Sequence, residues 1–173
     1  MALPIRNSVK VLLLNSDNEL LLMKFHDPST KSIDGTYKGH FWAPIGGMIE
    51  PNESLLEAAI REVQEETCIA KDAVEFGPPV WYGEFDLVLF GTPTHLKQTF
   101  IVAKTKQKDF SLSNLTEQEK AVVKNLAWFS CEKIKNSDEI IYPVIMAELL
   151  PDIVAGNYPE KVLVIDLAKL PKK

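Results

Sequence analysis

The 173 residues predict an α/β (α+β) protein, a sheet with helices packed on its faces. Three features carry that expectation. Short runs rich in β-branched, aromatic and leucine residues recur along the chain at strand length. One segment, Ser54 to Thr67, has helical spacing of its apolar residues instead. The two kinds of segment interleave with no repeat, low-complexity tract or Pro/Gly/Ser-rich linker between them, so residues 1–173 are expected to form a single domain.

In chain order, Ser8 to Asn15 and Leu20 to Phe25 flank Ser16-Asp17-Asn18, two apolar runs around a turn that predict a β-hairpin. From His26 to His40 the chain is polar and holds Pro28, Gly35 and Gly39, which predicts a loop long enough to be functional, a candidate lid. Phe41 to Ile45 is expected as a short strand ending at Gly46-Gly47. The helix follows. Ser54 with Glu57 three residues later is a capping-box pair, and Leu56, Ala59, Ile60, Val63 and Thr67 form the expected buried stripe. Val80 to Phe90, Leu96 to Lys104 and Val122 to Phe129 are expected strands. Tyr142 to Val154 has helical apolar spacing with Pro143 tolerable in its first turn, and Val162 to Ile165 is expected as a late edge strand.

With 46% hydrophobic and 25% charged residues, the chain can form a core without staples. A net charge of -5 argues against a general nucleic-acid binder, whose surface is usually basic. Small phosphorylated ligands stay open, because a cation can offset acidic charge. Cys68 and Cys131 stand far apart in no CxxC or Cys/His pattern, which fits a reducing compartment. Met1 to Arg6 lacks the apolar run of a signal peptide, and no stretch approaches the roughly 20 apolar residues of a membrane span. A soluble, cytoplasmic protein without membrane partners is the expectation.

The chemistry is expected on the helix. Glu62, Glu65 and Glu66 stand at i, i+3 and i+4, which puts them on one face, apart from the stripe through Ile60, Val63 and Thr67. Like charges so spaced cost an isolated helix about 0.2–0.5 kcal/mol per pair. A solvated acidic face is one account of the trio. A hard divalent cation that binds carboxylate oxygens is the other.

Around the trio the spacing is Gly47, five residues, Glu53, seven residues, Arg61-Glu62-Val63, one residue, Glu65-Glu66, one residue, Cys68-Ile69. This resembles the signature box of the Nudix hydrolases at every defining position but Cys68, where that family has glycine. The preceding Trp42-Ala43-Pro44-Ile45-Gly46 is similar to the family's approach to its box. The resemblance implies a Nudix-like α/β/α sandwich with a mixed sheet between helices. It implies a Mg²⁺-dependent hydrolase, with Mn²⁺ able to substitute, that cleaves the diphosphate linkage of a nucleoside diphosphate derivative. Nucleoside triphosphates, ADP-ribose and other nucleotide sugars, and dinucleoside polyphosphates all fit as the small-molecule substrate.

By the same resemblance Glu62, Glu65, Glu66 and the carbonyl of Gly46 would hold the metal, and Glu53 and Arg61 would pair and orient the ligands. An acid outside the box is expected as well, Glu119 by choice with Glu117 its competitor. Glu62 and Glu119 are the candidates for general base. Phe41, Trp42, Trp81, Tyr82 and Phe85 are candidate base-stacking residues, and Lys24, Lys38, His40 and Lys97 candidate phosphate contacts. Cys68 at a helix end either accepts left-handed backbone, at roughly 1–2 kcal/mol, or ends the helix differently. The same fold serves nucleotide-sensing modules that do not hydrolyse, and an isoprenoid diphosphate isomerase that relies on a cysteine, for which Cys131 is the nearest candidate. Relatives often pair, so a homodimer is open, with the Tyr142 to Val154 helix either contributing to it or covering the sheet.

Overall fold

Strand β1 (Ile5–Leu14) buries side chains on both of its faces, the pattern of a strand at the centre of a sheet. In the computed structural model, which describes residues 2–35 and 38–168, it has two long partners. It pairs antiparallel with β3 (Lys38–Met48) and parallel with β5 (Thr92–Thr105). The full order is β6-β2-β3-β1-β5-β4-β7, with β2 at Leu20–Ser32, β4 at Val74–Leu89, β6 at Val123–Phe129 and β7 at Leu163–Val164. The hairpin expected between the first two apolar runs is not what forms. β1 and β2 meet only at Leu14↔Leu20, and β3 inserts between them, because both strands carry apolar residues on two faces and each needs two neighbours.

On one face Val9, Val11 and Leu13 pack with Ala59 and Val63 of α1 (Leu55–Thr67). On the other Leu12, Leu14, Trp42 and Phe100 pack with Ile134 of α3 (Cys131–Lys135) and with Met146, Leu150 and Ile153 of α4 (Met146–Val154). Helices therefore cover both faces of a mixed sheet, as the sequence predicts. Each fully buried aliphatic side chain contributes about 1.5–3 kcal/mol, so the two cores hold the layers together. α4 begins at Met146, later than expected, after a turn in which the Met146 amide donates to the Pro143 carbonyl at 3.0 Å. Its apolar face covers the chain's own sheet. β7 pairs parallel with β4 at the sheet edge, where a late strand is expected. Among the described residues no helix is long and apolar enough to cross a membrane.

The segment from His26 to His40 is a second correction. Instead of a loop, β2 runs on to Ser32 and β3 starts at Lys38, with His26↔His40 and Asp27↔Gly39 in register. Long-range pairing overrides the polar composition. A bulge between Asp27 and Lys31 absorbs Pro28. Asp27 holds it, accepting from the amide of Ser29 at 3.0 Å and from the hydroxyls of Ser29 and Thr30 at 2.5 Å each. The bulge turns the end of β2 across the sheet, where Lys31↔Val88 and Ser32↔Leu87 pair with β4. That curl, with β4 and β5 beneath it, encloses a cavity on the α4 face.

Candidate active site

Local sequence starts α1 where the spacing predicts. The Ser54 hydroxyl accepts from the Glu57 amide at 3.1 Å, and the Glu57 carboxylate accepts from the Ser54 amide at 3.2 Å. These two bonds satisfy amides that a helix start leaves orphaned. At its other end Cys68 takes the left-handed conformation, φ 61°, and its amide still donates to the Gln64 carbonyl. Cysteine thus accepts the backbone that glycine adopts without cost.

The buried face of α1 differs from the expected stripe. Ala59, Val63 and Thr67 are buried, but Leu56 is 46% exposed, while Glu62 and Glu66 are 6% and 2% exposed beside the apolar residues. The acids therefore point at the sheet. Glycine makes the room for them. A Cβ on Gly47 would lie 2.6 Å from a Glu62 carboxylate oxygen, and one on Gly46, at φ +139°, would lie 2.0 Å from the Val9 carbonyl. The Gly46 amide donates toward both carboxyl oxygens of Glu66 at 3.3 Å.

Arg61 organises the acids. It donates to Glu53 through Nε at 2.7 Å and Nη2 at 2.8 Å, a bidentate pair, and through Nη2 to the Met48 carbonyl at 2.9 Å. Its Nη1 donates to Glu62 at 2.9 Å and Glu65 at 3.2 Å. The Arg61 hydrogen bonds hold the Glu53 carboxyl down to about 2. Burial raises Glu66 well above the usual carboxylate range, and its hydrogen bond to Glu62 raises it further. Burial and then Glu62 raise Glu65, against the pull of Arg61.

Glu119 joins from α2 (Glu117–Val122). Thr116 caps that helix, and the Glu119 carboxylate accepts from the Thr116 amide at 3.1 Å. Ligand oxygens of Glu62, Glu66 and Glu119 lie within 4.8 Å of one another. Glu117 instead points to solvent, 94% exposed and 3.5 Å from Lys120. Of the expected box acids, Glu62 and Glu66 converge with Glu119, whereas Glu65 turns to Arg61 with its side chain 39% exposed. The donor set is all carboxylate oxygen, which suits Mg²⁺ or Mn²⁺ and not a soft metal. The raised Glu66 is consistent with that fit: a cation there would offset the lost solvation of the buried carboxylate and its repulsion by Glu62.

Two cations beside the cluster escaped the sequence reading. Burial lowers the pKa of Lys10, against the opposing pull of Glu66 and Glu62, and its Nζ donates to the Pro44 carbonyl at 3.1 Å. Arg6 lies two positions earlier on the same face of β1, under the influence of Glu62 and Glu50. Their signal was present: Arg6, Ser8 and Lys10 alternate with Asn7, Val9 and Val11, so one face of β1 is polar before it becomes apolar at Leu12.

All three polar residues line the cavity, which has a volume of about 490 Å³ and reaches Gly46 and Gly47 at one end. Phe25 and Phe41 stack within it, centroids 5.4 Å apart, and Phe85 contributes from β4. Of the other aromatic candidates, Trp42 and Trp81 belong to the core. Lys24 pairs with Glu139 at 2.9 Å, His40 lies 2.7 Å from His26, and the Lys38 side chain lies outside the described residues. Cys131 is half-buried against the α3 and α4 core and is not among the cavity residues described.

The family model described as the NUDIX domain matches residues 4–149 of the chain. Among curated proteins, the chain is 28% identical over 129 residues to the m7GpppN-mRNA hydrolase NUDT17 of Danio rerio, covering 72% of this chain and 41% of that protein. It is 37% identical over 67 residues to an RNA pyrophosphohydrolase of Pelagibacter ubique, covering 39% of this chain and 37% of that one. The matched region is thus about two fifths of each relative's length. Among solved structures, a MutT protein from Methanosarcina mazei Go1 superposes with a TM-score of 0.59 at 25% identity, covering 91% of this chain and 98% of that one. An Ap4A hydrolase of C. elegans shares the fold at TM-score 0.58 and 23% identity, covering 88% and 97%.

Proposed function

The chain belongs to the Nudix family, and on that premise we propose that it is a divalent-cation-dependent hydrolase of the diphosphate linkage in a nucleoside diphosphate derivative. The observation that carries the proposal is the convergence of Glu62, Glu66 and Glu119, with Glu62 and Glu66 against Gly47 and Gly46, two glycines that also line the aromatic cavity. Glu62, Glu66 and Glu119 would hold Mg²⁺ or Mn²⁺, with Glu65 and the Gly46 carbonyl completing the set that the box implies. A bound ion there supplies charge neutralisation of the diphosphate and a lowered pKa for attacking water.

The chain's own side chains do the rest. Arg61 clamps Glu62 and Glu65 from behind while Glu53 fixes Arg61, so the carboxylates keep one orientation. Lys10 and Arg6 line the cavity within the electrostatic reach of the acids and would supply the opposite charge to phosphate oxygens there. A carboxylate takes the proton of the attacking water, and Glu62 and Glu119 are the two in position. Glu119 accepts one hydrogen bond, from Thr116, whereas Glu62 accepts from Arg61 and also shares a hydrogen bond with Glu66.

A non-hydrolysing sensor is the second reading, and the intact Arg61, Glu62, Glu65 and Glu66 weigh against it. The relatives named for capped mRNA, RNA and Ap4A make the group beyond the diphosphate a question for assay. The test is incubation with Mg²⁺ and a panel of nucleoside triphosphates, ADP-ribose, dinucleoside polyphosphates and 5′-triphosphorylated RNA, with products identified by chromatography. Diphosphate cleavage that Glu66→Gln and Glu65→Gln abolish is the expected result. A folded, metal-loaded protein that is stabilised by one nucleotide and cleaves none would favour the sensor.

A further inference from the structure

Two neutral polar side chains face the cavity without a hydrogen bond to any described residue. Ser8 on β1 and Gln98 on β5 are register partners in the parallel pair, so they lie side by side on the cavity face of the sheet. Ser8 is 3% exposed and Gln98 9% exposed. Among the described residues neither the Ser8 hydroxyl nor the Gln98 carboxamide has a hydrogen-bond partner, although each retains a little surface toward the cavity. The neighbours of Gln98 on the same face of β5 are Leu96 and Phe100, and an apolar residue would fill position 98 without loss. A carboxamide that opens only onto the cavity is completed by what fills the cavity, water or a ligand.

We infer that Gln98 and Ser8 are the specificity-determining pair of the substrate cavity, reading the heteroatom edge of a nucleobase that enters between Phe41 and Phe85. The inference rests on the proposed function for the position of the phosphates and adds to it what the far end of the substrate must be. A carboxamide presents a donor and an acceptor in one plane, the complement of a heterocycle edge that offers an acceptor beside a donor. The stacked Phe25 and Phe41 supply an aromatic wall for a flat ring. Arg6 and Lys10 flank Ser8 on the same strand, and Lys10, which feels the charge of Glu66, marks the side on which the phosphates would lead toward the acids. An isoprenoid chain would fit the aromatic wall yet leave both polar groups unpaired, so the class of ligand favoured is a nucleotide whose base is inside and whose phosphates face the acids.

The experiment is binding of the adenine, guanine, cytosine and uracil nucleoside monophosphates to the full chain in EDTA, by titration calorimetry, with Gln98→Met and Ser8→Ala beside the wild type. The wild type is expected to prefer one base. Gln98→Met, which keeps the volume and removes the amide, is expected to lose about tenfold in affinity for that base and most of the preference, with an unchanged or higher Tm. Ser8→Ala is expected to shift the preference less, also without a fall in Tm. A wild type that binds no monophosphate or all of them alike would overturn the inference. So would a Gln98→Met protein that keeps the wild-type preference, or one whose lost affinity comes with a lowered Tm. Because binding is read without metal or hydrolysis, base selectivity in a protein that cleaves nothing would sink the hydrolase proposal and leave this one standing. Hydrolysis with base selectivity untouched by either substitution would do the reverse.

Discussion

At the α1 end of the site each acid is held: Arg61 alone ties Glu53, Glu62 and Glu65 together, and the Gly46 amide holds Glu66. At the cavity end no described residue holds the side chain of Ser8 or Gln98, and Phe25, Phe41 and Phe85 contribute to the walls. Preorganised charge is what a diphosphate needs, because the chemistry happens in one fixed place. Unsatisfied polarity in an apolar wall is what selection among bases needs, because the wrong ligand leaves it unpaired. The two ends should therefore fail separately.

Arg61→Lys attacks the held end and is expected to have the largest effect. Lysine cannot reproduce the bidentate grip on Glu53 while also reaching Glu62 and Glu65, so activity at fixed Mg²⁺ should fall about 10–100-fold. Steady-state kinetics on two bases would show whether both substrates lose equally, as separate ends require. Lys10→Met acts at the junction of the two. Losing one charge-assisted phosphate contact should raise KM about tenfold and leave base preference alone, read from kcat/KM ratios.

Smaller effects lie outside both ends. Cys68→Gly removes left-handed strain at the helix end and should stabilise the fold by about 1 kcal/mol, a rise in Tm of roughly 2–4 °C, with kcat unmoved. The smallest is electrostatic. His95 sits 2.7 Å from both Asp86 and Glu84, and those hydrogen bonds, Asp86 first, raise its pKa above the usual 6.5. A raised histidine pKa means the folded state holds the proton more tightly. Its stabilisation is thus full below 6.5 and lost as pH rises through the elevated value. Denaturant midpoints of wild type and His95→Gln should differ on the acid side and converge in base, and a constant offset would remove the assignment.

The parts of this molecule that were legible in the sequence are the ones built from neighbours in the chain. Ser54 and Glu57 announce the start of α1 because their bonds span three residues, and Glu53 and Arg61, a pair the resemblance implies, meet across the first turns of that helix. Cys68 at a glycine position left two endings open in the sequence, and the structure takes the left-handed one. What stayed hidden depends on partners far away. Residues 26–40 are polar and hold Pro28, yet pair as strands because β3 and β4 wait on either side of β2. The stripe through Leu56 and Ile60 seemed to mark the buried face of α1, but Gly46 and Gly47 let Glu62 and Glu66 take part of that place. Gln98 carries no motif, and only its pairing with Ser8 brings it into the cavity. Glu119, one of two acids open in the sequence, meets the box because the Thr116 cap turns it inward.

The central claim is that Glu62, Glu66 and Glu119 form one divalent-cation site. Its most direct test is Mn²⁺ binding, followed by the paramagnetic signal of the free ion, in wild type and in Glu66→Gln and Glu119→Gln. Saturable binding in the wild type that both substitutions weaken by an order of magnitude or more, about 1.4 kcal/mol each, is the predicted result. Equal Mn²⁺ affinity in all three proteins would contradict it.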